Sequence, residues 1–83
     1  MEEEKVGLVS NYFSKIAVAA VEITEGIVSV GDRLHFLGHT TDFEQVVGSM
    51  EIDHKKMESV GPGDEVAVKV MRMVRKGDKV YRT

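Results

Sequence analysis

Apolar and polar residues alternate with a period of two along most of this chain, and glycines interrupt the alternation at intervals of about ten residues. That pattern predicts short strands joined by tight turns. A first strand is expected over residues 6–13, with turn chemistry at 11–15. Residues 16–23 are apolar on both faces. Their alanines favour a helix slightly, but the β-branched Ile16, Val18, Val21 and Ile23 and the flanking turns decide for a strand. A third strand covers Arg33–Leu37, with Leu34 and Phe36 on one face and Arg33 and His35 on the other.

Residues 38–42 read as a hairpin loop, and 43–52 as a longer strand bent at Gly48, because an internal glycine marks a bulge or tight bend. Residues 53–60 form a turn held to the core by Met57 and Val60. Val66, Val68 and Val70 mark a fifth strand and residues 80–82 a sixth. Pro62, between two glycines, breaks no ladder.

Six such strands predict an all-β fold: a small six-stranded, mostly antiparallel Greek-key β-barrel. Closure is expected because an open sheet of this size leaves its edges and half its apolar face in water. The inward set is then Val6, Leu8, Val18, Val21, Ile23, Val30, Leu34, Phe36, Val47, Ile52, Val66, Val68, Val70 and Val80. Residues 5–83 form the single domain, and residues 1–4 are expected to be a disordered acidic tail.

Composition narrows the chemistry. A chain of 83 residues with 42% hydrophobic positions supports one small core. The absence of cysteine removes disulfides, thiolate metal sites and a cysteine nucleophile. The longest apolar run, residues 16–21, is too short to span a bilayer, and the acidic start lacks the apolar region of a signal peptide. A cytoplasmic location and no membrane partner are expected.

Charge is unevenly spread. Residues 1–68 hold 5 Lys/Arg against 13 Asp/Glu, whereas residues 69–83 hold 6 Lys/Arg against Asp78 alone. The net charge of −3 argues against nucleic-acid binding by the whole surface. It leaves a basic strip of Lys69, Arg72, Arg75, Lys76, Lys79 and Arg82 as the candidate binding surface. With Tyr12, Phe13 or Tyr81 beside it, such a strip can meet RNA phosphates and stack a base.

The turns themselves carry a repeat. Gly26-Ile27-Val28-Ser29-Val30-Gly31-Asp32-Arg33-Leu34 has weaker echoes in Val60-Gly61-Pro62-Gly63-Asp64-Glu65-Val66 and Val74-Arg75-Lys76-Gly77-Asp78-Lys79-Val80. Each glycine can take φ > 0 where the chain reverses, and each aspartate can bond back to turn N–H groups before a strand begins. In order and spacing, these units resemble the second domain of translational GTPases such as elongation factor Tu and initiation factor two. A related barrel occurs at the C-terminus of U32 peptidase-like proteins. The resemblance covers most of the chain, from about Val6 to Tyr81, and implies the translation-protein type of barrel. Two departures limit what it implies for function. No G-x-x-x-x-G-K-[ST] loop is present, so no nucleotide is expected. Glu25 stands where the elongation factor commonly carries a basic residue beside its aminoacyl-tRNA surface.

Catalytic signals are weak. His35, His39 and His54 lack the spacing of zinc signatures, although Asp42 or Asp53 can join them in space. No serine sits in a nucleophile context, and so small a barrel encloses no substrate cavity. No enzyme activity, cofactor or metal is expected. The leading expectation is a stand-alone, non-catalytic binding module acting on RNA or a ribosome-associated partner. The alternative is a protein-interaction accessory that docks to an enzyme such as a U32-like peptidase.

Overall fold

The computed structural model describes residues 3–83, and among them there is no helix. The strands are β1 (Glu4–Phe13), β2 (Val18–Ile23), β3 (Val28–Ser29), β4 (Arg33–Leu37), β5 (Asp42–Val46), β6 (Met50–Ile52), β7 (Lys55–Lys56), β8 (Ser59–Val60), β9 (Glu65–Lys69) and β10 (Lys79–Arg82). Eight of them form one antiparallel sheet in the order β5-β4-β10-β1-β2-β9-β6-β7, and β3 pairs with β8 in a separate ribbon.

The three Gly-Asp units fold into the same turn. The side chains of Asp32, Asp64 and Asp78 accept the backbone N–H of the residue three positions back: Ser29, Gly61 and Arg75, at 2.8, 2.9 and 2.8 Å. Each aspartate N–H returns to the carbonyl of that same residue, at 3.0, 3.1 and 3.0 Å. Gly31, Gly63 and Gly77 between them take φ of 98°, 93° and 94°. A type II turn needs this value at its third position, and a Cβ disfavours it. Each turn also clamps one residue of a distant segment. Val47, Ile23 and Val9 accept from the turn glycine and donate to the aspartate carbonyl, all at 2.8–2.9 Å.

This repeat builds the core. The apolar residues flanking the turns (Val28 and Leu34, Val60 and Val66, Val74 and Val80) are buried, as are the clamped Val9, Ile23 and Val47. Each such side chain contributes about 1.5–3 kcal/mol on leaving water. Phe36 stacks on Phe43 with ring centroids 5.1 Å apart, beside the cluster completed by Val6, Ala19, Val21, Met50, Val68 and Val70.

Several expectations are corrected by this geometry. The hydrogen-bonded sheet does not close into a six-stranded Greek-key barrel; β5 and β7 are its edges. The expected strand over 43–52 divides into β5 and β6, which lie in different parts of the sheet, with residues 47–49 crossing between them. Residues 53–60 form β7 and β8 instead of one turn, and the two-residue β3 escaped the sequence pattern.

The inward set changes for local reasons. Val30 occupies the exposed second position of its turn and is 40% exposed, while Val28 takes the core place. Register shifts in β1, between Lys5 and Gly7 and between Val9 and Asn11, turn Val9 inward in place of Leu8. Strict alternation in β2 buries Ala19, Val21 and Ile23 and leaves Val18 half-buried. Met50, not Ile52, is the buried residue of β6.

Of the acidic tail expected over residues 1–4, Met1 and Glu2 lie outside the described residues. Glu4 opens β1 opposite Arg82, and Glu3 bonds to His35. Among the described residues, no helix is long and apolar enough to cross a membrane.

Candidate interaction surface

The C-terminal turn and the β4–β5 loop are locked together. Asp78 is buried; its Oδ2 accepts from Arg75 N–H at 2.8 Å, and its other carboxylate oxygen packs directly on Gly38, where a Cβ would collide with it. Across the same junction Arg75 Nε donates to Thr40 Oγ1 at 3.0 Å. The 38–41 loop holds itself through Gly38 N–H to the Thr41 carbonyl at 2.7 Å. Between loop and turn runs an open groove lined by Leu37, His39, Lys76, Lys79 and Tyr81, with Asp78 at its base.

The structure does not bring the six basic residues of the sequence into one strip. Lys76 and Lys79 line the groove, Arg75 is bonded to Thr40 outside that lining, and Arg72 lies exposed in the segment leading to it. Lys69 ends β9 opposite Val18 and borders a different groove, with Ile16, Glu51 and Lys56. Arg82 sits at the far end of β10 and is committed within the fold. It donates to the Ile27 carbonyl and to Glu4 Oε1, both at 2.8 Å, and lies 4.0 Å from Asp32. Among the described residues, Lys69, Arg72, Arg75, Lys76 and Lys79 make no ion pair. Of the aromatics, Tyr81 joins the groove; Tyr12 packs on the core and Phe13 lies at the end of β1.

His35 forms a second cluster on the outer face of β4. Its Nδ1 bonds Glu3 Oε2 at 2.7 Å and its Nε2 bonds Asp42 Oδ1 at 2.6 Å, with the side chain 14% exposed. Only the doubly protonated ring can donate to both carboxylates at once. Chiefly the Asp42 hydrogen bond, helped by Glu3, raises its pKa above the ordinary 6.5, against the opposing effect of burial. Glu3, His35 and Glu44 bring one donor atom each within 4.8 Å of one another. Both ring nitrogens already serve carboxylates, so the arrangement favours a proton over a metal ion. Sequence reasoning placed Asp42 within reach of the histidines. It missed Glu3, which reads as tail unless the β1–β10 register is known.

The buried polar side chains, Thr41, Gln45 and Asp78, serve the fold, and no described buried side-chain polar atom lacks a partner. Gln45 spans from β5 to the end of β9: Nε2 donates to the Lys69 carbonyl and Oε1 accepts from Met71 N–H, both at 2.8 Å.

These features define a small antiparallel all-β domain with open surface clefts and its buried polar groups spent on architecture. In fold it is similar to the C-terminal domain of a Geobacillus thermoleovorans protein described as a U32 peptidase. The TM-score is 0.89 at 23% identity, covering 96% of this chain and 92% of that one. The selenomethionine variant of the same domain gives 0.88 at 25% identity, covering 96% and 99%. In sequence, the chain is 40% identical over 78 residues to an uncharacterized protease of Methanocaldococcus jannaschii, covering 93% of this chain and 19% of that protein. It is 33% identical over 78 residues to a collagenase of Porphyromonas gingivalis, covering 93% and 22%. The chain thus spans about one fifth of the length of these curated relatives. No family model matches it. The relatives support the U32 side of the resemblance in the turn motifs; the translation-factor side rests on those motifs alone.

Proposed function

We propose that this chain is a non-catalytic accessory module that docks to, and serves, a U32-type peptidase. The observation that carries this reading is its alignment, over 93% of its length, with about one fifth of much longer proteins named as protease and collagenase. The chemistry agrees. The buried polar side chains are engaged in turns and bridges, and the clefts are open surface grooves without a paired nucleophile and base. The test is co-purification of the tagged protein from native lysate, with and without nuclease, beside a gelatin-cleavage assay on the protein alone. A U32-type peptidase retained after nuclease, with no cleavage by the isolated chain, is the expected result. Cleavage by the isolated chain, or loss of every protein partner with the RNA, overturns it.

A second reading, contact with RNA, is favoured by five cations that make no ion pair among the described residues and by Tyr81, which lines the groove with two of them. Charge reversal at Arg72, Arg75 and Lys76 then abolishes RNA retention and its salt dependence, whereas retention that survives removes this surface from consideration.

A further inference from the structure

We propose that the groove between the 38–41 loop and the 75–78 turn is a docking cleft for a short acidic segment of a partner protein. The proposal rests on the docking reading for the partner, and on the groove itself for the chemistry.

The cleft is cationic and locally uncompensated. Lys76 sits at the exposed second position of its turn and Lys79 at the outward-facing start of β10, and neither makes an ion pair among the described residues. The single acid lining the cleft, Asp78, is only 6% exposed, with one oxygen accepting Arg75 N–H and the other packed on Gly38. Elsewhere Arg33, Arg82 and His35 each face a carboxylate. The walls are fixed by the Asp78–Gly38 packing and the Arg75–Thr40 bond, so little ordering entropy is lost when a ligand enters.

Its charge boundary sets the length of ligand. Lys79 pairs with Leu37 and Tyr81 with His35, so the cleft runs along β4 and β10 toward the His35 cluster. Two residues along, about 7 Å, the lysines give out: Glu3 and Glu44 stand around His35, Asp42 reaches it from its place opposite Leu37, and the His35 ring lies 6.2 Å from that of Tyr81. A nucleic-acid strand needs a basic track several nucleotides long, and three carboxylates against His35 and Arg33 supply none there. Two or three carboxylates followed by an apolar residue fit both the lysines and the Leu37–Tyr81 wall. The cleft also lies at the opposite end of β10 from the Glu4–Arg82 pairing, clear of that end of the strand.

The test is an amide-shift titration of the ¹⁵N-labelled chain with a synthetic Glu-Glu-Glu-Leu peptide, a hexalysine peptide and a six-nucleotide uridine RNA. The expected result is saturable shifts at His39, Lys76, Gly77, Lys79 and Tyr81 with the acidic peptide alone. Added salt weakens them, and the K76E/K79E variant weakens them at least about tenfold. Both substituted positions are exposed, so the variant's thermal midpoint reports its fold independently. RNA shifting the same amides as strongly, acidic-peptide shifts centred on Lys69 and Arg72, or undiminished binding by K76E/K79E each overturns the proposal. The titration uses no peptidase, so its failure leaves the co-purification result standing, and the reverse holds too.

Discussion

Gln45 and Lys69 are joined across the opening of the sheet. The Gln45 amide donates to the Lys69 carbonyl at 2.8 Å, and its oxygen receives Met71 N–H at the same distance. One side chain thus stands in for a strand between the edge strand β5 and the end of β9. Gln45 is 7% exposed, and its parity with Phe43 and Val47 places it on the inward face.

Replacing Gln45 with Ala leaves two backbone groups without partners. The expected loss is about 1–2 kcal/mol, because both stranded groups belong to exposed residues and water replaces part of each bond. Urea unfolding measures the loss, and hydrogen exchange of the Met71 amide reports whether that junction opens first. A loss below about 0.5 kcal/mol would show that the bridge contributes little to closure.

Gly38 and Gly48 give opposite outcomes for the same substitution. A Cβ on Gly38 meets the Asp78 carboxylate, whereas one on Gly48 meets open space. Gly38→Ala is expected to destabilise by about 1–3 kcal/mol through overpacking. Gly48→Ala is expected to be neutral or to stabilise by up to about 1 kcal/mol through the unfolded chain. Thermal unfolding of the two variants side by side decides the point.

The His35 network makes stability depend on pH. Because folding raises the His35 pKa above 6.5, its contribution is fully present below that value and is lost as pH climbs through the native pKa. Stability should fall as pH rises above about 6.5, with a flatter profile in His35→Gln. Asp42→Asn should lower the His35 pKa more than Glu3→Gln, since the Asp42 bond is its largest cause. Proton NMR of the imidazole Cε1–H follows this directly, and equal pKa values in wild type and D42N would refute the assignment.

Asp53 and His54 link β6 to β7 in a two-residue turn with φ of 51° and 65°. Positive φ at both positions belongs to a type I′ turn, for which Asn-Gly is preferred. The double substitution D53N/H54G should stabilise the domain by about 1 kcal/mol by relieving left-handed strain. A lower urea midpoint would count against it.

The three Gly-Asp turns were legible because everything they need lies within four residues. A glycine supplies positive φ, and an aspartate bonds three positions back. What those turns hold was not legible. Nothing local marks Val9, Ile23 and Val47 as their clamped partners. Gln45 left a usable trace, a polar residue at inward parity between Phe43 and Val47. Glu3 left none, and Arg82 was misleading: adjacent in sequence to the basic residues, it is carried about 10 Å from Lys79 by the rise of β10.

By itself, then, the sequence determined the all-β class, the positions of the turns and most of the inward residues, because alternation and turn chemistry act over a few bonds. Tertiary structure alone decided that the sheet stays open, that Gln45 spans its gap, and that two basic residues of six share one cleft. Those outcomes depend on which distant segments meet once long loops close, and no local pattern of side chains encodes that balance of chain entropy against burial.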